Sequence, residues 1–218
     1  MKFSYTDKQG RAFTVAELMV TIAVVAFVAL FLLPPMLVHR KAAVRIKCVS
    51  NLKMVGLAFR IWSGDNNDLF PMGVYTNATG APLFTNSASA FRYFQVMSNE
   101  LSNPQVLICP LDTKRRAATN FTTDFNGSNI SFFVGLDADE AFPQRFLAGD
   151  SNIKIGKQLQ SGLVQITTNQ AVGWTAERHQ GFGNVALADG SVAQISSPML
   201  MKAFQDTGLA TNLLLMPP

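Results

Sequence analysis

Cysteine, histidine and charge are all scarce in this sequence. Two cysteines and two histidines occur in 218 residues. Cys48 and Cys109 have sixty residues between them and belong to no Cys-x-x-Cys or Cys/His run, a pattern that argues against a zinc site. Such a pair forms a disulfide in an oxidising compartment or remains as two buried thiols, and the spacing fits both. Charged residues make up 15% of the chain and the net charge is +4. Lys2, Asp7, Lys8 and Arg11 supply about half of that excess, so the remainder is too weakly basic to indicate nucleic acid. The compact basic run Lys114-Arg115-Arg116 has no interleaved aromatics and reads as a solvated loop. A Gly-x-Ser-x-Gly elbow is missing, so a hydrolase built on His179 and Asp189 has no nucleophile to rest on. Gly181-Phe182-Gly183-Asn184-Val185-Ala186 matches the dinucleotide fingerprint in its letters, yet it opens a strand rather than a helix.

What the sequence does have is one long apolar run. From Leu18 to Val38 no residue carries a formal charge, and a helix over that stretch covers about 30 Å, which predicts a membrane span. The run is too long for the apolar region of a signal peptide, and no small-x-small cleavage site follows it. Basic residues lie on both sides, Lys2, Lys8 and Arg11 before and Arg40, Lys41, Arg45 and Lys47 after, so charge does not orient the span. Glu17 stands at its start. A carboxylate there either lies at headgroup level or needs a partner.

Beyond Pro34 and Pro35 a helical pattern resumes. Cys48, Leu52, Val55, Phe59 and Trp62 recur at spacings of four and three, one apolar stripe, with Arg45, Lys47, Lys53 and Arg60 on other faces. A helix from Phe13 to Trp62 would be about 75 Å long. Ser63-Gly64-Asp65-Asn66-Asn67-Asp68 ends it, and that cluster fails the EF-hand test because Leu69 falls at the fifth loop position. Further on, Ser87 to Leu101 is weakly helical and Val106 to Cys109 reads as extended. Strands are predicted at Ile130 to Val134, Leu163 to Thr168, Asn184 to Ala188 and Ser191 to Ile195. Asp189-Gly190 joins the last two as a two-residue hairpin turn, and Ser197-Pro198 opens a helix to about Asp206. One helix followed by antiparallel strands predicts an α+β fold.

Gly10-Arg11-Ala12-Phe13-Thr14-Val15-Ala16-Glu17-Leu18 resembles the leader and cleavage region of type IV prepilins and type II secretion pseudopilins. The resemblance implies a prepilin peptidase that cuts between Ala12 and Phe13 and methylates the new amino group of Phe13. The family's usual glycine before the cut is replaced by Ala12. Gly10 offers a second bond, but the cut before Phe13 places Glu17 at the family spacing. Pro34 falls where the family has a helix-distorting proline. Glu17 would then be neutralised on assembly by the α-amino group of a neighbouring subunit.

His179, nine residues, then Asp189-Gly190 is similar to a C-terminal signature of pseudopilin-like proteins, as are Asn51-Leu52 and Cys109-Pro110-Leu111-Asp112. Asp137, Asp139 and Glu140 offer oxygen ligands, and the resemblance makes calcium conceivable there, although their spacing matches no binding motif. A solvated acidic turn is the simpler reading. No other cofactor is expected.

The implied organisation is a leader at 1–12, a membrane and assembly half-helix at 13–38, an amphipathic half-helix at 39–63 and a periplasmic α+β domain at 64–218. The implied fold is pilin-like, a long N-terminal helix packed on a small antiparallel sheet. The implied protein is a non-enzymatic subunit of a pilus-like filament supporting type II-like secretion in a bacterium, anchored once in the inner membrane. Its partners would be the prepilin peptidase, copies of itself, other pseudopilins and an inner-membrane secretion platform. The competing reading is an anchored periplasmic binding module that forms no filament.

Overall fold

The computed structural model describes residues 13–218, with the backbone alone for 31–42. The expected leader, with Ala12 and Gly10, and the side chain of Pro34 lie outside the described residues. The chain divides into two compact units, Met1–Ala43 and Val44–Pro218. Helix α1 spans Val15–Gly64 and so contributes to both.

In the first unit α1 opens on a capping box. Glu17 Oε2 accepts hydrogen bonds from the Thr14 backbone N–H (2.9 Å) and hydroxyl (2.8 Å), and the Glu17 N–H donates back to Thr14 Oγ1 (3.3 Å). Those bonds satisfy amide groups that a helix start otherwise leaves unpaired. From Val15 to Leu30 every residue except Ala29 is exposed, although most are apolar.

In the second unit the predicted stripe is the buried face of α1. Cys48, Leu52, Val55, Phe59 and Trp62 are all buried, joined by Asn51 and Ala58. Phe59 meets Phe70 and Phe94 edge to face at centroid distances of 6.1 and 6.0 Å, a geometry that suits the ring quadrupoles. The helix stops where Asn67 and Asp68 adopt left-handed backbone (φ +57°) and Asn66 Nδ2 donates to the Trp62 carbonyl at 2.8 Å. Short helices follow at Pro71–Val74 (α2), Phe91–Gln95 (α3) and Ser98–Leu101 (α4). Pro104–Leu107 is a 3₁₀ turn, capped by the Asn103 side chain accepting from Gln105 N–H at 2.9 Å. The extended segment expected at Val106 therefore forms only after that turn. Pro104 at its first position pre-sets the helical φ.

Nine strands follow: β1 Phe132–Gly135, β2 Phe146–Asp150, β3 Ile153–Ile155, β4 Gln158–Leu159, β5 Gly162–Thr167, β6 Val172–Trp174, β7 Phe182–Leu187, β8 Val192–Ser196 and β9 Thr211–Met216. Six form an antiparallel sheet in the order β5-β9-β1-β2-β7-β8, and three a second sheet in the order β4-β3-β6. Helix α5, Ser197–Asp206, runs over the predicted range. The central strands of the large sheet are buried on both faces. Phe132, Val134, Ala148 and Ala186 join the core that holds the α1 stripe, while Phe133, Phe146 and Val185 join Leu200 and Phe204 of α5 in a second core.

The β7–β8 hairpin closes differently from the predicted two-residue turn. The Leu187 N–H bonds the Ser191 carbonyl (2.9 Å) and the Gly190 N–H bonds the Leu187 carbonyl (2.9 Å), with Gly190 at φ +84°. This is a three-residue loop with a left-handed glycine in its last place. Asp189 Oδ1 accepts from the Ser191 N–H at 2.8 Å. A Cβ on Gly190 would lie 2.8 Å from Arg60 Cδ, and Gly56 approaches the Gly190 carbonyl, so the hairpin tip beds directly on α1.

Two expectations are corrected here. The first is the pilin-like arrangement of a long N-terminal helix on a small sheet. A six-stranded and a three-stranded antiparallel sheet dominate the fold, and the helical stretch that packs on the six-stranded one is 44–64, about 31 Å long. The side chains of 15–30, apart from Ala29, are exposed. The second is the single-pass transmembrane span at 18–38, with the inner-membrane placement it implies. No helix among the described residues is long and apolar enough to cross a membrane.

Candidate functional site

The scattered sequence signatures converge on one buried place in the second unit. Cys48 comes from α1, Cys109 from the loop after the 3₁₀ turn, Asp150 from the end of β2, and His179 from the loop between β6 and β7. Cys48, Cys109 and Asp150 are fully buried and His179 nearly so. Sulfur atoms Cys48 Sγ and Cys109 Sγ and a ring nitrogen of His179 lie within 4.8 Å of one another. The Cys109 sulfur is 3.4 Å from His179 Nε2, and the same nitrogen is 3.2 Å from Asp150 Oδ2. Asn184 of β7 donates to Asp150 Oδ2 twice, from its backbone N–H at 2.8 Å and from Nδ2 at 2.9 Å.

The surrounding residues hold these groups in place. Asn51 Nδ2 donates to the Ile108 carbonyl at 2.9 Å, which fixes the chain entering Cys109 against α1. The Asp112 N–H bonds the Cys109 carbonyl at 2.8 Å, the turn that Pro110 favours. Asp112 then pairs with Arg178 at 2.6 Å and with Arg115 at 3.0 Å, and accepts from Ser131 Oγ at 2.8 Å. Arg178 also donates to the Ser131 carbonyl at 3.0 Å. His179 is thus placed by its neighbour's ion pair on one side. On the other side are two left-handed residues, Gln180 (φ +57°) and Gly181 (φ +85°). Asn51, Cys109, Asp112 and His179, far apart in sequence, form one assembly.

Its electrostatics follow from burial. The Cys109 thiol is pushed up by its contact with Cys48 and by desolvation. Burial by itself would lower His179, but hydrogen bonds and charge from Asp150 and Cys109 outweigh it and raise the imidazole to about 9. This is not a nucleophile with a relay. Asp150 shares Nε2 with the thiol instead of orienting Nδ1, and both sulfurs are shut off from solvent.

The other sequence candidates sit apart from this cluster. Asp189 and Gly190 close the hairpin on α1, so their signature with His179 marks two separate structural jobs. The calcium candidates are each engaged locally. Asp137 Oδ2 accepts from Leu213 N–H at 2.5 Å, Asp139 Oδ1 accepts from Ala141 N–H at 2.9 Å, and Glu140 accepts from Ser63 Oγ. Phe13 and Glu17 lie at the start of α1 in the first unit, Phe13 largely exposed. Thr14 holds the Glu17 carboxyl below its ordinary range, through its backbone N–H first and its hydroxyl second. Sequence reading missed Asp150 and Arg178. Asp150 ends a short strand that shows no alternation, and Arg178 is distinguished only by its place beside His179.

No protein-family model, no curated protein and no solved structure matches this chain.

Proposed function

We propose that the chain is a structural subunit of a pilus-like filament that assembles through the N-terminal part of α1 after cleavage by a prepilin peptidase. One observation carries the reading: residues 15–30 form a helix that is apolar on every side and exposed on every side. Val15, Met19, Ile22, Val25 and Leu30 are each at least 60% exposed. A helix apolar all round is a buried helix in its working state. Identical helices packed side by side would supply the cover, and Glu17 would be the single carboxylate inside that packing. The resemblance of residues 10–18 to prepilin cleavage regions supports the same conclusion.

The test combines processing with assembly. Mature protein isolated from cells that carry a prepilin peptidase should begin at a methylated Phe13. With the native cysteines buried, Val24→Cys supplies an exposed thiol that should cross-link copies through their helices. A mature chain that keeps Met1, together with a Val24→Cys variant that stays monomeric under oxidation, would sink the proposal.

A further inference from the structure

The geometry points to a metal site: Cys48, Cys109 and His179 form a three-ligand cage for a soft divalent cation of the Zn²⁺ class, with the Asp150 carboxylate beside His179. This lies beyond the filament reading and does not depend on it. Two sulfurs, an imidazole nitrogen and a carboxylate are a donor set that zinc takes in tetrahedral sites. With Zn–S of about 2.3 Å and Zn–N or Zn–O of about 2.1 Å, a tetrahedron has S–S edges of about 3.8 Å, S–N edges of about 3.6 Å and N–O edges of about 3.4 Å.

The observed Cys109 Sγ to His179 Nε2 separation of 3.4 Å matches the S–N edge, and the Asp150 carboxylate comes within 3.2 Å of the same nitrogen through Oδ2. Cys48, Cys109 and His179 span no more than 4.8 Å, so closing these three on an ion requires movements of about an ångström, whereas Asp150 lies outside that set and has farther to move. Among the described residues this is the group of three or more Cys, His, Asp or Glu ligand atoms that comes together in this way.

The carboxylate supplies the second, independent indication. Asp150 Oδ2 already accepts both Asn184 bonds, whereas Asp150 Oδ1 is buried with no hydrogen-bond partner among the described residues. A buried carboxylate oxygen left unpaired is costly, and a cation satisfies it. Asn184 then has the part of an outer group that holds a ligating carboxylate in orientation. Below about pH 9 binding displaces one proton from each thiol and one from the His179 imidazolium, leaving two thiolates and a neutral imidazole on the cation and three protons in solvent. The three ligands come from α1, the Cys109 loop and the loop before β7, with Asp150 of β2 beside them. One ion would therefore clamp the amphipathic half of α1 to the large sheet.

The experiment uses the full-length chain, purified without chelator, exposed to Zn²⁺ and dialysed. About one equivalent of zinc per chain is expected. Replacing it with Co²⁺ should give the thiolate-to-cobalt absorption band of the wild-type protein, a readout that needs no variant. That band should weaken in Cys48→Ser and lose its tetrahedral character in His179→Gln. Non-reducing peptide mapping of the same sample should find both thiols free. Less than about a tenth of an equivalent of metal, zinc retained undiminished in Cys109→Ser, or a Cys48–Cys109 disulfide in the map would each overturn the site.

Discussion

Asp112→Asn should be among the most damaging single-atom changes in this protein. Its carboxylate is 1% exposed and Arg178 is 7% exposed, and the two are 2.6 Å apart. The substitution keeps the shape but removes the charge that Arg178 faces, leaving a buried guanidinium with only neutral acceptors. Breaking a buried pair from one side costs about 3–5 kcal/mol. In a chain of this size that corresponds to a fall in Tm of about 6–20 °C.

The pH dependence gives a second handle. Burial raises the Asp112 carboxyl, but Arg178, Ser131 and Arg115 outweigh burial and hold it below the ordinary carboxylate range. Stability from this group is thus complete above about pH 4, the unfolded value, and is lost as pH falls through the lower folded value. The difference between wild type and Asp112→Asn, measured by urea unfolding from pH 7 downward, should shrink in acid. Adding Arg178→Met to Asp112→Asn should restore part of the loss. A loss under about 1 kcal/mol at pH 7, or one that grows in acid, would refute the reasoning.

Three further outcomes are expected. Phe59→Ala removes a fully buried ring at the centre of the α1 stripe and should cost about 3–5 kcal/mol in chemical denaturation, whereas Leu57→Ala on the exposed face should cost little. Gly183→Ala places a Cβ 2.4 Å from the rigid ring of buried Trp174; a destabilisation of about 1–3 kcal/mol and a shifted tryptophan emission should follow. Glu17→Gln keeps a capping-box partner for Thr14 while deleting the charge, so Val24→Cys cross-linking should fall in this variant with helix content unchanged.

The α1 stripe was plain in the sequence because a helix buried on one face writes its period into the residues: Cys48, Leu52, Val55, Phe59 and Trp62 are all inside. β7, β8 and α5 were legible for similar reasons, a turn signal at Asp189-Gly190 and an opening Ser-Pro. β2 was not. All five of its residues, Phe146–Asp150, are buried, so the alternation that betrays a half-exposed strand never appears, and β9 hides in the same way behind Leu214, Leu215 and Met216. The apolar run at 18–38 suggested a span on its length and hydropathy, a requirement that no helix among the described residues meets.

The buried cluster was only half visible. Two isolated cysteines and a histidine carry no local spacing when the chain must travel through the rest of α1, three short helices, a 3₁₀ turn and six strands to bring them together. The same distance that hid the site from sequence spacing fixes its place in the order of folding. Cys48 and His179 meet only after more than a hundred intervening residues have found their partners, and long closures of that kind come late. Until then both thiols stand in water. Their disappearance from a pulse of alkylating reagent would report the completion of the whole second unit, so that two small side chains serve as the clock by which the maturation of this protein can be read.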